Sequence, residues 1–464
     1  MMTNKISRYL FLAFLLVGSI SLQSCNNTGD RQPAADSQTT SERFVEHPEW
    51  AVNATIYEVN IRQYTPEGTF SAFAEHLPRL KEMGVKILWL MPIHPIGEEN
   101  RKGTLGSYYS IKDFKEVNPE FGTKEDFRNL VETAHSHDMK VIIDWVANHT
   151  AWDAEWTKTN PEYYSLDEDG NFHPPVEDWD DVIQLDYENE QLRAAMHDAM
   201  EYWVSDFNID GYRCDVAYMV PTDFWNRARE NLDAIKPVFM LAEAEVPELH
   251  VRAFDMSYAW DYAQTIRDIA AGEKGLEAID EVMEKEFERF EKEDYRMFFT
   301  TNHDENSWNG SDPELYGDNF ENFAVLSATI WGMPLIYSGQ EEGLDKRLEF
   351  FEKDQINWED YKYEEFYNIL LEVNRNNTAL WNGAEGGDFL KVSTDNDDSI
   401  YAFKRVNPQD EVFVILNFSD SVEEFTFRDE IDGNWLDLFD GTEKTIGSTM
   451  ELEGNTYLVL EKQF

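Results

Sequence analysis

Eight short apolar runs recur between residues 54 and 339, each separated from the next by a polar or amphipathic stretch. "ATIYEVNI" (54–61), "VKILWLMP" (85–92), "KVIIDWV" (140–146) and "IDGYRCDV" (209–216) come first. "PVFMLAE" (237–243), "DMSYAW" (255–260), "RMFFTTN" (296–302) and "PLIYSG" (334–339) follow. Runs this uniformly apolar are what strands look like when a parallel sheet is covered on both faces. The intervening "TFSAFAEHLPRLKEMG", "TKEDFRNLVETAHSHDM", "NEQLRAAMHDAMEYWVSDF" and "AIDEVMEKEFERFEKEDY" instead place apolar residues at helical spacing. Strand–helix alternation on this scale predicts an α/β chain folded as a (β/α)8 TIM barrel over residues 49–385. An open doubly wound sheet alternates in the same way. It calls for a Gly-rich phosphate turn after the first strand, and none is there.

The pattern breaks in three places. Residues 149–188 form a connection rich in Trp, Tyr, Asp and Pro, predicted as a short insertion after strand 3 on the catalytic face. From residue 386 to 464 the rhythm becomes short alternating runs such as "SIYAFKRV" and "EVFVILNF", punctuated by Asn, Asp and Gly. That predicts a C-terminal antiparallel β domain of sandwich type. At the other end, residues 25–48 are polar and read as a flexible tether. Before them Lys5 and Arg8 precede "YLFLAFLLVGSI" and then "LQSC". Residues 1–24 have the make-up of a secretory signal, and Leu22–Cys25 resembles a bacterial lipoprotein signal. The resemblance implies cleavage before Cys25, a lipid on its thiol and anchoring to the bacterial cell envelope. A plain signal peptide with an incidental cysteine is the alternative.

Composition narrows the class. A 42% hydrophobic and 14% aromatic content provides for a large core. The formal charge of −53, from 92 acidic against 39 basic residues, excludes nucleic acid as a partner and disfavours anionic substrates. A neutral substrate is indifferent to that field. The second of the two cysteines, Cys214, has only Cys25 to pair with, so there is no disulfide framework.

The chemistry gathers at strand ends. Arg213 and Asp215 stand two positions apart and so share one face of a strand. Alone, they also fit a structural ion pair. In a barrel, catalytic groups come from the C-terminal ends of several strands. Those ends supply Asp144, with Asn148 and His149 just behind, then Arg213 and Asp215, then Glu243, then His303 and Asp304. Carboxylates converging on one mouth repel each other, and glycosyl transfer has a use for them as nucleophile, proton donor and stabiliser of positive charge. An adjacent arginine favours the charged form of Asp215. Glu243 ends its apolar run directly, while Glu245, two residues on, competes with it. Tyr108 likewise competes with Tyr109.

"DWVANH" (144–149), "GYRCDVA" (211–217), "LAEA" (241–244), "TNHDEN" (301–306), "GSYYSIKDF" (106–114) and "GMPLIYSGQE" (332–341) together resemble the signatures of the α-amylase family, glycoside hydrolase family 13. The resemblance implies Asp215 as nucleophile, Glu243 as general acid/base and Asp304 as transition-state stabiliser. It implies substrate binding by Tyr109, His149, Arg213 and His303, with Asp144 in support. Many members bind structural Ca2+, and Asn148 and Asp186 match two ligand positions with oxygen donors suited to it; no organic cofactor is implied. The expected activity is retaining hydrolysis of α-1,4 bonds in α-glucans or maltooligosaccharides. α-Glucosidase, α-1,6-acting and transglycosylating variants share the same machinery, and a non-catalytic glycan-binding lipoprotein is a second class. One departure stands out: typical α-amylases carry Lys-His after the nucleophile strand, and this chain has Tyr218-Met219.

Overall fold

The computed structural model describes residues 45–431 and 433–463. The signal segment, Cys25 and the tether up to residue 44 lie outside the described residues. Eight parallel strands close into a barrel: β1 (Ile56–Val59), β2 (Ile87–Leu90), β3 (Lys140–Trp145), β4 (Gly211–Cys214), β5 (Phe239–Ala242), β6 (Met256–Tyr258), β7 (Tyr295–Phe298) and β8 (Met333–Tyr337). Each pairs with its neighbour in chain order and β8 closes on β1. Every apolar run contributes one strand, so the expected (β/α)8 barrel is the fold.

The two-residue period of a strand decides what fills the barrel. Ile56, Ile87, Ile142, Phe239, Leu241, Met256, Met297, Met333 and Leu335 point inward and pack as one core. The alternate positions, among them Tyr57, Leu88, Ile143, Tyr212 and Met240, face the helices in a second core. One inward step further along β1, β2, β3, β4 and β6 come Glu58, Trp89, Asp144, Arg213 and Tyr258, all buried. Register sets Asp144 beside Arg213 and Glu58 beside Trp89. The polar layer therefore caps the apolar one at the C-terminal mouth.

The helices hold this cylinder from outside. Helix α1 (Lys124–Ser136) opens with a capping box in which Thr123 and Asp126 satisfy each other's backbone N–H. It buries Phe127, Leu130, Val131 and Ala134 at helical spacing. Helix α2 (Glu190–Phe207) starts at an Asn189 cap and stops at Asn208, whose φ of 58° is left-handed. Between β3 and α2 the insertion is pinned by an antiparallel ribbon, His149–Ala151 with Val182–Gln184. It is also clipped to the β2 loop: Lys102 Nζ donates to the Asp178 carbonyl (2.6 Å) and pairs with Asp180 and Asp181 (3.1 Å each). Among the described residues no helix is long and apolar enough to cross a membrane.

Residues 45–48, expected as the end of the tether, are packed onto the barrel. His47 Nδ1 bonds Asp255 (2.8 Å) while its ring stacks on Tyr295 (4.1 Å), and Arg229 donates to the Glu46 carbonyl (3.0 Å). These anchors are polar, so a search for apolar periodicity passes over them.

The C-terminal region is a six-stranded antiparallel sheet with a two-stranded ribbon, Glu423–Thr426 and Thr449–Leu452. Phe413, Ile415, Phe425, Trp435 and Leu460 form their shared core. Arg405, on the strand Ile400–Val406, crosses to the barrel. It donates to Gly387 O (3.1 Å) and to Thr329 O and Ile330 O (3.3 Å each), and lies 4.8 Å over the Trp331 ring. The two barrel carbonyls end helix α3 (Phe320–Thr329), where a cation suits both the orphan acceptors and the helix dipole. Burial still pulls the Arg405 pKa down to about 9.

Arg405→Ala therefore strips three buried carbonyls of their donor. A loss of about 3 kcal/mol or more is expected from hydrogen bonds to a charged group. Urea unfolding of the two proteins side by side measures it. A midpoint unchanged within error would mean that this contact does not join the two regions.

Candidate active site

Arg213 sits at the centre of the mouth, almost wholly buried. Its Nη1 donates to Asp144 Oδ1 (2.9 Å) and Oδ2 (3.2 Å) and to Asp215 Oδ1 (3.1 Å). Its Nη2 lies 2.9 Å from Glu243 Oε2, and its Nε donates to the Tyr258 hydroxyl (3.1 Å). One guanidinium thus binds three carboxylates drawn from β3, β4 and β5. Burial alone would depress its pKa, but Asp144 and Glu243 outweigh that and hold it well above its ordinary value.

Beyond Cys214 the chain turns sharply. Asp215 N still donates to Trp145 O (3.0 Å), continuing the ladder by one bond. Val216 then adopts φ +37°, ψ 48°, a left-handed conformation that a β-branched residue seldom takes. The strained turn aims Val216 N–H at Glu243 Oε2 (2.8 Å). The glutamate is so held from two directions, by a backbone donor and by Arg213.

A second network closes the other side. His303 Nδ1 meets Glu58 Oε1 (2.5 Å), and its Nε2 meets the Tyr109 hydroxyl (2.7 Å) and Asp304 Oδ2 (3.3 Å). Tyr109 in turn donates to Asp144 Oδ2 (3.0 Å), which also accepts from the Trp89 indole (3.2 Å). The Tyr109 ring lies nearly parallel to both His303 (5.5 Å) and Phe350 (6.3 Å), the three rings forming a triangle. Burial would pull His303 down, but Asp304 and Glu58 outweigh it and raise the imidazole well above its usual range. A doubly protonated ring donates on both sides, as the geometry requires.

Burial pushes Asp144 up, and it pushes Glu58 up. Asp215 is pushed well up by burial and then by Glu243, against Arg213; Glu243 rises by burial and then by Asp304. Burial and mutual repulsion thus disfavour ionising Asp215 and Glu243 together. Asp304 goes the other way: burial raises it, but the His303 imidazolium overcomes this and leaves it below the ordinary range. Its side chain is also the most open, 35% exposed against 0% for Asp144. The site thus presents an anion at the rim and the Asp215–Glu243 pair beneath it.

Asp144, Arg213, Asp215, Glu243, His303, Asp304 and Tyr109 all fall in this one cluster. Glu245 is elsewhere, bound to Arg296 Nη2 (3.1 Å); burial raises its pKa to about 7 despite that partner. Tyr108 packs against the Arg62 guanidinium (4.3 Å). His149 stands apart from the carboxylates: its Nδ1 lies 3.3 Å from the Asn148 amide, its ring faces Trp179 (5.6 Å), and burial depresses its pKa to about 3, leaving it neutral. Three members of the cluster escape the strand-end search, namely Glu58, Trp89 and Tyr258. Glu58 was open to detection, being a carboxylate inside an apolar run and in phase with Ile56.

Of the two expected calcium ligands, Asn148 Oδ1 accepts from Gln184 Nε2 (3.0 Å). Asp186 Oδ1 accepts the Glu188 N–H (3.0 Å) in the turn leading to the Asn189 cap. Among the described residues no three His, Cys, Asp or Glu side chains gather to hold a metal.

Comparison with known proteins follows the same outline. Residues 26–179 and 176–413 match the α-amylase catalytic domain, and residues 392–463 match the α-amylase C-terminal all-β domain. The fold superposes on a noncanonic maltogenic α-amylase, AmyB, from Thermotoga neapolitana with a TM-score of 0.81. The two are 30% identical, over 89% of this chain and 99% of that one. An α-amylase from Lactobacillus plantarum gives the same TM-score, 0.81, at 30% identity, over 89% and 100%. The α-amylase MalA of Haloarcula japonica is 27% identical over 405 residues, covering 82% of this chain but 57% of MalA's own length.

The network makes His303 an imidazolium through neutral pH. Glu58→Gln removes one of the two anions that raise it, so the His303 titration should move to lower pH by NMR of ring-labelled protein. An unmoved titration would show that Glu58 does not set the charge of His303.

Proposed function

The chain belongs to the α-amylase family and is a glycoside hydrolase of that type, and from this premise we propose that it cleaves α-1,4 bonds of α-glucans or maltooligosaccharides with retention of configuration. The observation that carries the reading is the single guanidinium binding Asp144, Asp215 and Glu243. Two carboxyl groups on one Arg213 side chain are near neighbours, as a double displacement needs.

In this mechanism Asp215 reacts as the anion, its charged form favoured by Arg213, and Glu243 enters the first step protonated. Asp215 Oδ attacks the anomeric carbon as Glu243 gives its proton to the departing glycosidic oxygen. The C–O bond to the leaving sugar breaks, and an ester bond to Asp215 forms. Glu243, now an anion, takes a proton from water as that water attacks the same carbon from the other side, freeing Asp215. Positive charge on the sugar faces the Asp304 carboxylate, held ionised by His303. Tyr109 offers its ring as the floor, and His149, neutral, is fitted to hydrogen-bond a hydroxyl.

Relatives named as α-amylases, maltogenic amylases, cyclomaltodextrinases and maltosyltransferases share the family. Bond type, chain length and the choice between water and sugar as acceptor vary among such names; Tyr218, 60% exposed in place of the Lys-His pair, marks one point where this chain differs. For location, the Leu22–Cys25 motif supports a lipid anchor on Cys25 and placement at the cell envelope.

Asp215→Asn keeps the shape and removes the nucleophile, so turnover of amylose and maltooligosaccharides should fall by about four orders of magnitude or more. Fresh wild-type products should carry the α anomer by NMR. Hydrolysis by Asp215→Asn near the wild-type rate, or β products, would contradict the assignment. For the anchor, Cys25→Ala should move the native protein from the membrane to the soluble fraction; an unchanged distribution would argue against lipidation.

A further inference from the structure

We propose that Trp308 is a sugar-binding platform that receives the glucosyl unit next to the one being cleaved, and so sets a preference for longer substrates. The inference rests on the α-glucan reading above. Its starting point is local geometry. Immediately after Asp304 the backbone makes a π-helical turn, Glu305–Asn309, closed by Gly310 N donating to Glu305 O (2.9 Å). Such turns cost hydrogen-bond geometry and recur at functional sites.

This turn is braced from several sides. Arg267 pairs with Glu305, and the Asn309 amide donates to Glu305 Oε2 (2.8 Å). Asn306 fastens it to the loop after β8: its amide donates to Lys346 O (3.1 Å) and its Oδ1 accepts Leu348 N–H (2.9 Å). Arg347, in that loop, donates to Trp308 O (3.2 Å) and pairs with Glu314 (2.9 Å). What all this bracing presents is a tryptophan left 54% exposed.

Trp308 is not an isolated surface aromatic. It adds to the influences that lower the pKa of Asp304, after the His303 imidazole and Arg213. Its ring lies 5.4 Å from Phe350 and 6.0 Å from Phe351. Phe350 in turn stacks on Tyr109 (6.3 Å) and lies tilted to His303 (6.4 Å). A continuous aromatic track therefore climbs from the floor of the cleavage site to the rim and ends on the open face of Trp308. The occupant that fits is the substrate's own next ring: neutral, with C–H faces for the indole, and unaffected by a charge of −53.

The test compares maltohexaose, maltose and a p-nitrophenyl α-glucoside on wild type, Trp308→Ala and Trp308→Phe. Wild type should favour maltohexaose over the short substrates. Trp308→Ala should lose about tenfold or more in kcat/KM on maltohexaose, chiefly through KM, so that the length preference collapses. Trp308→Phe, which keeps a ring but no N–H, should retain most of the preference. Equal losses on all three substrates in Trp308→Ala, or a preference unchanged by it, would overturn the proposal. If wild type cleaves none of the three, the hydrolase reading fails and not the platform alone.

Discussion

Everything at the mouth of this barrel depends on one buried cation. A guanidinium sealed among strands costs several kcal/mol to desolvate unless its donors are all used. Arg213 uses them on Asp144, Asp215, Glu243 and Tyr258. The dependence is mutual, since all three carboxylates are largely withdrawn from water and each is paired with this one arginine. Removing the cation leaves three acids with no counter-charge, and removing Asp144 leaves the cation half paired. The cluster behaves as one unit with a few protons to distribute, and that property is what glycosyl transfer draws on.

The barrel supplies the cluster at little extra cost because a strand has a period of two. Inward positions run from isoleucine and methionine to glutamate, aspartate and arginine within a single step. The apolar layer below is therefore the foundation against which the polar layer is held. Local strain finishes the placement: Val216, forced into a left-handed turn, points its N–H at Glu243. On the far side, the buried Glu58–His303 pair bears on the charge of Asp304 at the open rim.

Much of this was legible in the sequence, for definable reasons. The eight strands announce themselves because parallel strands covered on both faces must be apolar throughout. Asp144, Arg213, Asp215 and Glu243 are visible because a charge at the end of such a run has no structural excuse. Glu245 is separated from Glu243 only by where the chain bends after β5, which no spacing records. Trp89 and Tyr258 stay hidden because an aromatic in an apolar run looks like core, and most of it is. Trp308 depends on a π-helical turn, and residues 45–48 on hydrogen bonds to distant partners. For Asn148 and Asp186 the residue types suit a cation, while their partners in the fold, Gln184 and the Glu188 N–H, are not legible from residue type.

In the mechanism proposed above, Asp215 supplies the oxygen that bonds covalently to the sugar, and Arg213 and Glu243 equip it for that. The most direct measurement is to treat the active enzyme with a fluorinated α-maltosyl fluoride, which forms glycosyl-enzymes that hydrolyse slowly, and to map the adduct by peptide mass spectrometry. One sugar adduct per chain is expected, on the peptide that contains Asp215 and at that residue. An adduct on Glu243 or Glu245, or turnover of the reagent with no adduct at any residue, would contradict it.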